Sequence, residues 1–233
     1  MQIHETPGAA TADHAQARRN MVDGQLRTFD VSDRALLAAM GELPRERFVP
    51  ADQQGLAYLD RAVVMGRRDE RGGRELLAPM VLARLIQALD IEAGAKVLDV
   101  GGGQGYSAAI FARLGAQVVA LEEDPAFQEG LSAGLAAIGL SGLVTPRSGP
   151  LAAGAPDLAP FDAILVNGAV EHAPQELLSQ LSSSGRLACL RTDGRVGRAA
   201  VFVRSGEAVG TRDLFDVVTP ALAAFANPPA FDF

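Results

Sequence analysis

The chain is poor in the groups that would tie it to a disulfide framework, a membrane or a nucleic acid. Its single cysteine, Cys189, excludes an intramolecular disulfide and fits a reducing compartment. That cysteine lies in the apolar segment 186–190, where a buried structural thiol is expected rather than a nucleophile. No uncharged apolar run reaches the ~18 residues of a membrane span, and the first twenty residues carry no hydrophobic segment of the secretory kind. The expectation is a cytoplasmic protein without a membrane partner. Positive charge is also short: the net charge is −7 and the pI about 5.0, which argues against a nucleic-acid partner. The basic cluster Arg67-Arg68-Asp69-Glu70-Arg71 is mixed in sign and reads as a solvated loop. There is no internal repeat, no His-Glu-x-x-His and no Ser-His-Asp pattern, and no metal site is expected.

What is present is apolar and periodic. Hydrophobic residues make up 48% of the chain and mean hydropathy is +0.13, so most of it can bury a core. Residues 1–12 read as a mobile tail, and 13–78 as a helical and loop region packing on a core formed by 79–233. Within 13–78, a weakly apolar helix is expected over 13–28, and Ser32 as the N-cap of a helix over 33–40 that Leu43-Pro44 ends. Residues 66–75, with three glycines and seven charges, read as loop. Pro79 suits the first turn of a helix with Val81, Leu82, Leu85, Ile86 and Leu89 on its apolar side. From there strands are expected at 96–100, 117–122, 143–147, 162–167, 186–191, 199–204 and 212–218. Helices are expected at 105–114, 126–138 and 174–181. Such alternation predicts an α/β fold: a mostly parallel seven-stranded sheet with helices on both faces, closed by an antiparallel C-terminal hairpin.

Directly after the first of these strands comes Asp99-Val100-Gly101-Gly102-Gly103-Gln104-Gly105-Tyr106, where open sheets of this kind bind ligands. Two fingerprints overlap. Gly103-x-Gly105-x-x-Ala108 matches the dinucleotide form G-x-G-x-x-[GA], a weak signal alone. Asp99-x-Gly101-x-Gly103-x-Gly105 resembles motif I of the S-adenosylmethionine-dependent methyltransferases. Chemistry favours the second, because an acidic residue suits a sulfonium and an amino-acid end better than a diphosphate. Small residues serve either ligand by letting backbone approach it. Glu122 ends the next strand, 17 residues beyond Gly105, where a carboxylate can accept both ribose hydroxyls.

Further blocks extend the likeness. Met21-Val22-x-x-Gln25-Leu26, Val31-Ser32-Asp33, Pro44-Arg45-x-Arg47-Phe48-Val49-Pro50, Ala57-Tyr58-x-Asp60-Arg61, Phe161-Asp162-x-Ile164-Leu165-Val166 and Gly185-Arg186-Leu187 resemble the protein-L-isoaspartate O-methyltransferases, over about residues 20–205. The resemblance implies the Rossmann-like methyltransferase fold and S-adenosylmethionine as cofactor, with S-adenosylhomocysteine as product. It also implies a protein or peptide substrate, whose isoaspartyl carboxylate is methylated as the first step of repair. Carried over by position, Asp99, Gly101, Gly103 and Gly105 would line the methionine end, and Glu122 would bind the ribose. Gly102, Tyr106, Glu123, Gly149 and Asn167 complete the expected cofactor set.

Two blocks depart from the family. Where its members carry a Gln-Thr-Ile-Ser-(Gln/Ala)-Pro block, this chain reads Arg74-Glu75-Leu76-Leu77-Ala78-Pro79, without either hydroxyl. Arg74, Glu75 and Leu77 are therefore the acceptor-site candidates. Where the family has Gly-Asp-Gly, this chain has Ser148-Gly149-Pro150. Carboxylate methylation needs alignment and desolvation rather than a general base, since the nucleophile is already ionised. The lone His172 thus reads as a surface residue. A methyltransferase acting on another acceptor, and a cofactor-binding protein without isoaspartyl activity, stay open as alternatives. The end of the chain, with Phe225, Phe231 and Phe233 beside Pro228-Pro229, reads as a segment packing on its own domain or on a twin subunit in a homodimer.

Overall fold

The computed structural model describes residues 7–66, 74–193 and 196–227. Helix α1 (Pro7–Met21) opens the described chain. It begins six residues before the expected Asp13, and only residues 1–6 of the expected tail lie outside the described residues. Proline fits a first helical turn, and alanines at 9, 10 and 12 favour continuation. The helix does not run on to Thr28: a π turn (Val22–Leu26) and a 3₁₀ turn (Arg27–Phe29) follow, and Asp30 takes a left-handed φ of 62°. Helix α2 (Arg34–Glu42) is capped by Asp33, not by Ser32. The Asp33 carboxylate accepts from the Ala35 and Leu36 amides, while the Ser32 amide donates to Gln87 Oε1.

Short antiparallel strands β1 (Val63–Val64) and β2 (Glu75–Leu76) pair Val63 with Leu76 and Val64 with Glu75. The loop expected over 66–75 therefore gives way to strand at Glu75, and residues 67–73 lie outside the described residues. Helix α3 (Pro79–Leu89) starts on its proline and buries all five residues expected on its apolar side.

The rest alternates. β3 (Lys96–Val100), α4 (Tyr106–Arg113), β4 (Gln117–Glu122), α5 (Pro125–Ala137), β5 (Val144–Ser148), β6 (Phe161–Val170), α6 (Gln175–Ser179), β7 (Leu181–Thr192), β8 (Gly197–Ser205) and β9 (Ala208–Val217) follow in turn. The sheet order is β5-β4-β3-β6-β7-β8-β9. β3 through β7 run parallel, and β8 and β9 return antiparallel. The seven-stranded mixed sheet is the one the sequence implies, with β6, β7 and β8 extending past both expected ends and β9 starting before the expected residue 212.

Strand residues alternate between two apolar layers, as a sheet buried on both faces requires. Val97, Val118, Ala120, Ala163 and Leu165 face one layer with the N-terminal helices, α3, α4 and α5. Leu98, Val100, Val119, Leu121, Ile164 and Val166 face the other, with α6, Leu222 and Phe225. Cys189 is fully buried there, and burial pushes its thiol up to about 12, so it stays protonated and inert. Phe225 packs on its own domain, while Phe231 and Phe233 fall outside the described residues.

Successive crossovers run outward from β3 in opposite directions, to β4 and β5 on one side and to β6 and β7 on the other. That reversal opens a crevice at the carboxyl ends of the strands, beside β3. The glycine segment and Glu122 both lie at this edge.

Candidate cofactor site

The turn after β3 is built by its glycines. Gly105 has φ 91°, and a Cβ there would lie 2.3 Å from Leu131 Cδ1 on α5. Gly102 has an ordinary φ, but a Cβ would lie 2.6 Å from Asp99 Oδ2 and 2.8 Å from Ser107 Oγ. Both positions are closed to any larger residue without rearrangement. The turn thus holds its backbone against α5 on one side and against the Asp99 carboxylate on the other.

Asp99 is only 1% exposed. Ser107 Oγ donates to its Oδ2 at 2.7 Å, and Asn167 Nδ2 donates to its Oδ1 at 2.7 Å and to the Val100 carbonyl at 3.1 Å. Burial raises the Asp99 pKa to about 6, against the lowering by these two hydrogen bonds. Asp99 and Asn167 therefore tie β3, β6 and α4 together beneath the turn. The expected contact of Asp99 with the cofactor's methionine end is not prepared by an open carboxylate.

Tyr106 departs further from expectation. Its side chain is fully buried among the N-terminal elements, with its ring 5.5 Å from that of Phe48 and 4.9 Å from the Arg45 guanidinium carbon. A large aromatic ring at the start of α4 gains more by filling this core than by lining the crevice. Any part Tyr106 plays in ligand binding is left to its backbone.

Glu122 ends β4 as expected and is 2% exposed. Its surroundings are the main surprise. Arg74 Nη1 donates to Oε1 at 2.8 Å, and Arg74 Nη2 donates to Oε2 at 2.6 Å. The Glu123 amide donates to Oε1 at 3.1 Å, and the Gly103 amide to Oε2 at 3.1 Å. A carboxylate offers about four lone-pair sites, and four donors occupy them. Arg74 Nη2 also donates to the Gly101 carbonyl at 2.6 Å, and its guanidinium lies over Phe127, 5.0 Å from the ring centroid. The space between Asp99, the glycine turn, Glu122 and Leu131 has about 0 Å³ open to a water-sized molecule, so this arrangement admits no ligand as it stands.

The remaining candidates are dispersed. Glu123 is exposed and accepts from the Leu151 amide at 3.3 Å, and the Gly149 amide donates to the Glu122 carbonyl at 3.2 Å, both at the crevice rim. Leu77 is 3% exposed and packs in the core, so the site of a family hydroxyl has become part of the apolar interior. Glu75 is half-buried in β2, opposite Val64. Arg74 engages Glu122 across 48 residues of chain, a role not anticipated from the sequence. His172 is exposed.

One buried group went unnoticed in the sequence. Arg45 is fully buried; its Nε donates to the Ala57 carbonyl at 2.7 Å and its Nη2 to the Leu77 carbonyl at 2.6 Å. It pins the backbone of the 74–79 block from behind. Its place within Pro44-Arg45-x-Arg47-Phe48-Val49-Pro50, one of the blocks that resemble the family, is the available signal.

In kind, these residues fit S-adenosylmethionine: a turn of four glycines whose one side chain, that of Gln104, lies against Gly130 of α5, and a buried carboxylate with a neighbouring amide at the strand end. They fit its ribose only with Arg74 withdrawn, because the carboxylate has no free lone pair while Arg74 holds it.

Known proteins resemble the chain closely. The profile of the family described as protein-L-isoaspartate(D-aspartate) O-methyltransferase (PCMT) matches residues 17–212. A protein-L-isoaspartate O-methyltransferase of Methylorubrum extorquens (strain PA1) is 44% identical over 175 residues, 75% of this chain and 74% of the relative. One from Roseiflexus sp. (strain RS-1) is 36% identical over 206 residues, 88% of this chain and 91% of the relative. Among solved structures, a protein-L-isoaspartate O-methyltransferase superposes with a TM-score of 0.75 at 24% identity, covering 88% of this chain and 65% of its own. A second from Plasmodium falciparum, solved with S-adenosyl-L-homocysteine, superposes with a TM-score of 0.69 at 18% identity, covering 90% of this chain and 97% of its own.

Proposed function

Because the chain belongs to the protein-L-isoaspartate(D-aspartate) O-methyltransferase family, we propose that it is an S-adenosylmethionine-dependent methyltransferase acting on isoaspartyl carboxylates of damaged proteins. The observation that carries this reading is Glu122, a buried carboxylate at the end of β4 beside the amide of Gly103. S-adenosylmethionine supplies a methyl on a sulfonium: the acceptor oxygen–carbon bond forms as the carbon–sulfur bond breaks, its electron pair staying on sulfur, to give a methyl ester and S-adenosylhomocysteine. Glu122 would accept the ribose hydroxyls, and the 101–105 turn would leave room for the amino-acid end. Gly149 and Glu123 would border the adenine side, and Asn167 would hold Asp99 in place below.

The chain's own contribution to methyl transfer is alignment and exclusion of water. Arg45 fixes the Leu77 carbonyl and hence the path of the segment that leads to the acceptor side. No hydroxyl stands at positions 75 and 77 to hold an acceptor carboxylate. Recognition of the isoaspartyl group therefore falls to backbone donors, or to Arg74 once it leaves Glu122. We place the reaction in the cytoplasm, in keeping with the single buried thiol; no helix among the described residues is long and apolar enough to cross a membrane.

Methyl transfer to an isoaspartyl peptide, with the matching aspartyl peptide as control, tests the reading. Turnover specific to the isoaspartyl form is expected. S-adenosylhomocysteine binding without any isoaspartyl turnover would overturn the choice of acceptor and leave the cofactor assignment standing.

A further inference from the structure

The guanidinium of Arg74 stands where the proposed function needs a ribose. Two of the four lone pairs on Glu122 go to Arg74, and the other two go to the Glu123 and Gly103 amides, which are fixed parts of the backbone. A vicinal diol brings two hydroxyl donors. Of the four donors already present, the side chain of Arg74 is the pair that can leave without refolding the turn. Its exit would also free the Gly101 carbonyl and clear the space between Gly101 and Phe127.

We propose that Arg74 is an internal competitor for the ribose diol, so that its release from Glu122 sets the affinity of this chain for its cofactor. The inference rests on the proposed function, since it takes S-adenosylmethionine as the ligand. It adds a determinant specific to this chain, because the family block carries glutamine where Arg74 stands. Three features hold the closed arrangement together. The fork is bidentate, which suits guanidinium and carboxylate geometry. Glu122 is 2% exposed and the Arg74 side chain 19%, so salt screens the pair little. The Phe127 ring supplies a face for the cation. A binding-competent state populated at a fraction f weakens apparent affinity by 1/f. If the open state is a tenth or less of the population, deleting the competitor strengthens binding at least about tenfold.

Isothermal titration of the full chain, R74Q and R74A with S-adenosylhomocysteine tests this. That ligand carries the diol but lacks the sulfonium charge, so removing a nearby cation does not by itself attract it. Both variants are expected to bind at least about tenfold more tightly than the parent. Adenosine should show the same gain, and 2′,3′-dideoxyadenosine none. Adding E122Q to R74A should erase it.

Equal or weaker binding by both variants, with the parent binding well, would overturn the inference and leave the proposed function intact. A gain shared by the dideoxynucleoside, or one that survives E122Q, would also overturn it, since the benefit would then be room rather than a freed carboxylate. Absence of binding by the parent and both variants would overturn the inference together with the proposed cofactor. Circular dichroism and thermal unfolding of each variant check that the comparison is between folded proteins.

Discussion

Two arginines anchor the segment that departs from the family, Arg45 from behind and Arg74 from within it, and they are held in opposite ways. Arg45 is fully buried and, among the described residues, has no carboxylate partner; it donates to two carbonyls and lies over the Tyr106 ring. Arg74 keeps some exposure and is tied to a carboxylate by a bidentate fork. The first joins the backbone at Ala57 and Leu77 to the ring of Tyr106. The second joins one side chain to a carboxylate that a ligand could take over. A buried cation held by main chain is part of the scaffold, because its partners cannot leave, even though the Arg45 Nη1 finds no acceptor among the described residues. One satisfied by a side chain at a crevice edge can be exchanged.

The largest expected effect breaks the first half of that contrast. Replacing Arg45 with alanine leaves the Ala57 and Leu77 carbonyls without their donor inside the core and opens a void beside Tyr106. Each orphaned buried acceptor costs about 1–3 kcal/mol, and lost packing adds to that. Urea denaturation of R45A should show a loss of about 4 kcal/mol or more. R45K should recover little, since an ammonium cannot span both carbonyls as the fork does. Burial lowers the Arg45 pKa from its ordinary value, so some of the parent's stability is already spent on holding the charge. A loss under about 1 kcal/mol in R45A would show that this desolvation cancels the hydrogen bonds, and that Arg45 is not the scaffold residue its contacts imply.

How far the sequence foretold this arrangement differs by element. The expected bounds of β4 and the expected start of α3 at Pro79 match the structure, because two-sided burial and an N-terminal proline are local signals. The cap of α2 lies one place beyond Ser32, since Ser32 and Asp33 are both good caps; Gln87 Oε1 accepts from both amides, and the Asp33 carboxylate is the one that reaches the Ala35 and Leu36 amides. Strands β1 and β2 have two residues each, too few to display any period. In the site, Glu122 and the glycine turn were legible from spacing. The lock on Glu122 was not, because the Arg74–Glu122 pair spans 48 residues and leaves no local pattern. Likeness puts Leu77 and Tyr106 at the site, whereas core packing takes their side chains.

Asp99 extends the comparison to a buried anion. Like Arg45, it is held by neutral groups, here Ser107 and Asn167. Desolvation outweighs them and raises its pKa from an ordinary 3.8 to about 6. The folded state therefore binds this proton more tightly than the unfolded chain. The stability contributed by protonated Asp99 is full below pH 3.8 and is lost as pH rises through about 6. Integrated over that window, the loss is about 3 kcal/mol. Asparagine keeps the shape and can donate to Ser107 Oγ while accepting from Asn167. D99N should gain about 3 kcal/mol on the parent between pH 3.5 and 7, with little difference between them at the acid end. A pH-independent difference in paired urea titrations would show that Asp99 stays ionised throughout, held by its two donors.

The smallest expected effect bears on Arg74. In R74A, Glu122 loses two charge-assisted hydrogen bonds but keeps the Gly103 and Glu123 amides, and the space left by the guanidinium lets water reach the otherwise buried carboxylate. The loss should be about 1–2 kcal/mol, well short of the 3–5 kcal/mol for stripping a partner from a fully buried pair. Saturating S-adenosylhomocysteine should then raise the midpoint of R74A by more than that of the parent, since stabilisation follows affinity at fixed ligand concentration. Thermal unfolding with and without ligand measures both quantities in one experiment. If R74A instead loses as much as R45A and gains nothing from ligand, Arg74 belongs to the scaffold as well, and the two arginines differ in contacts alone.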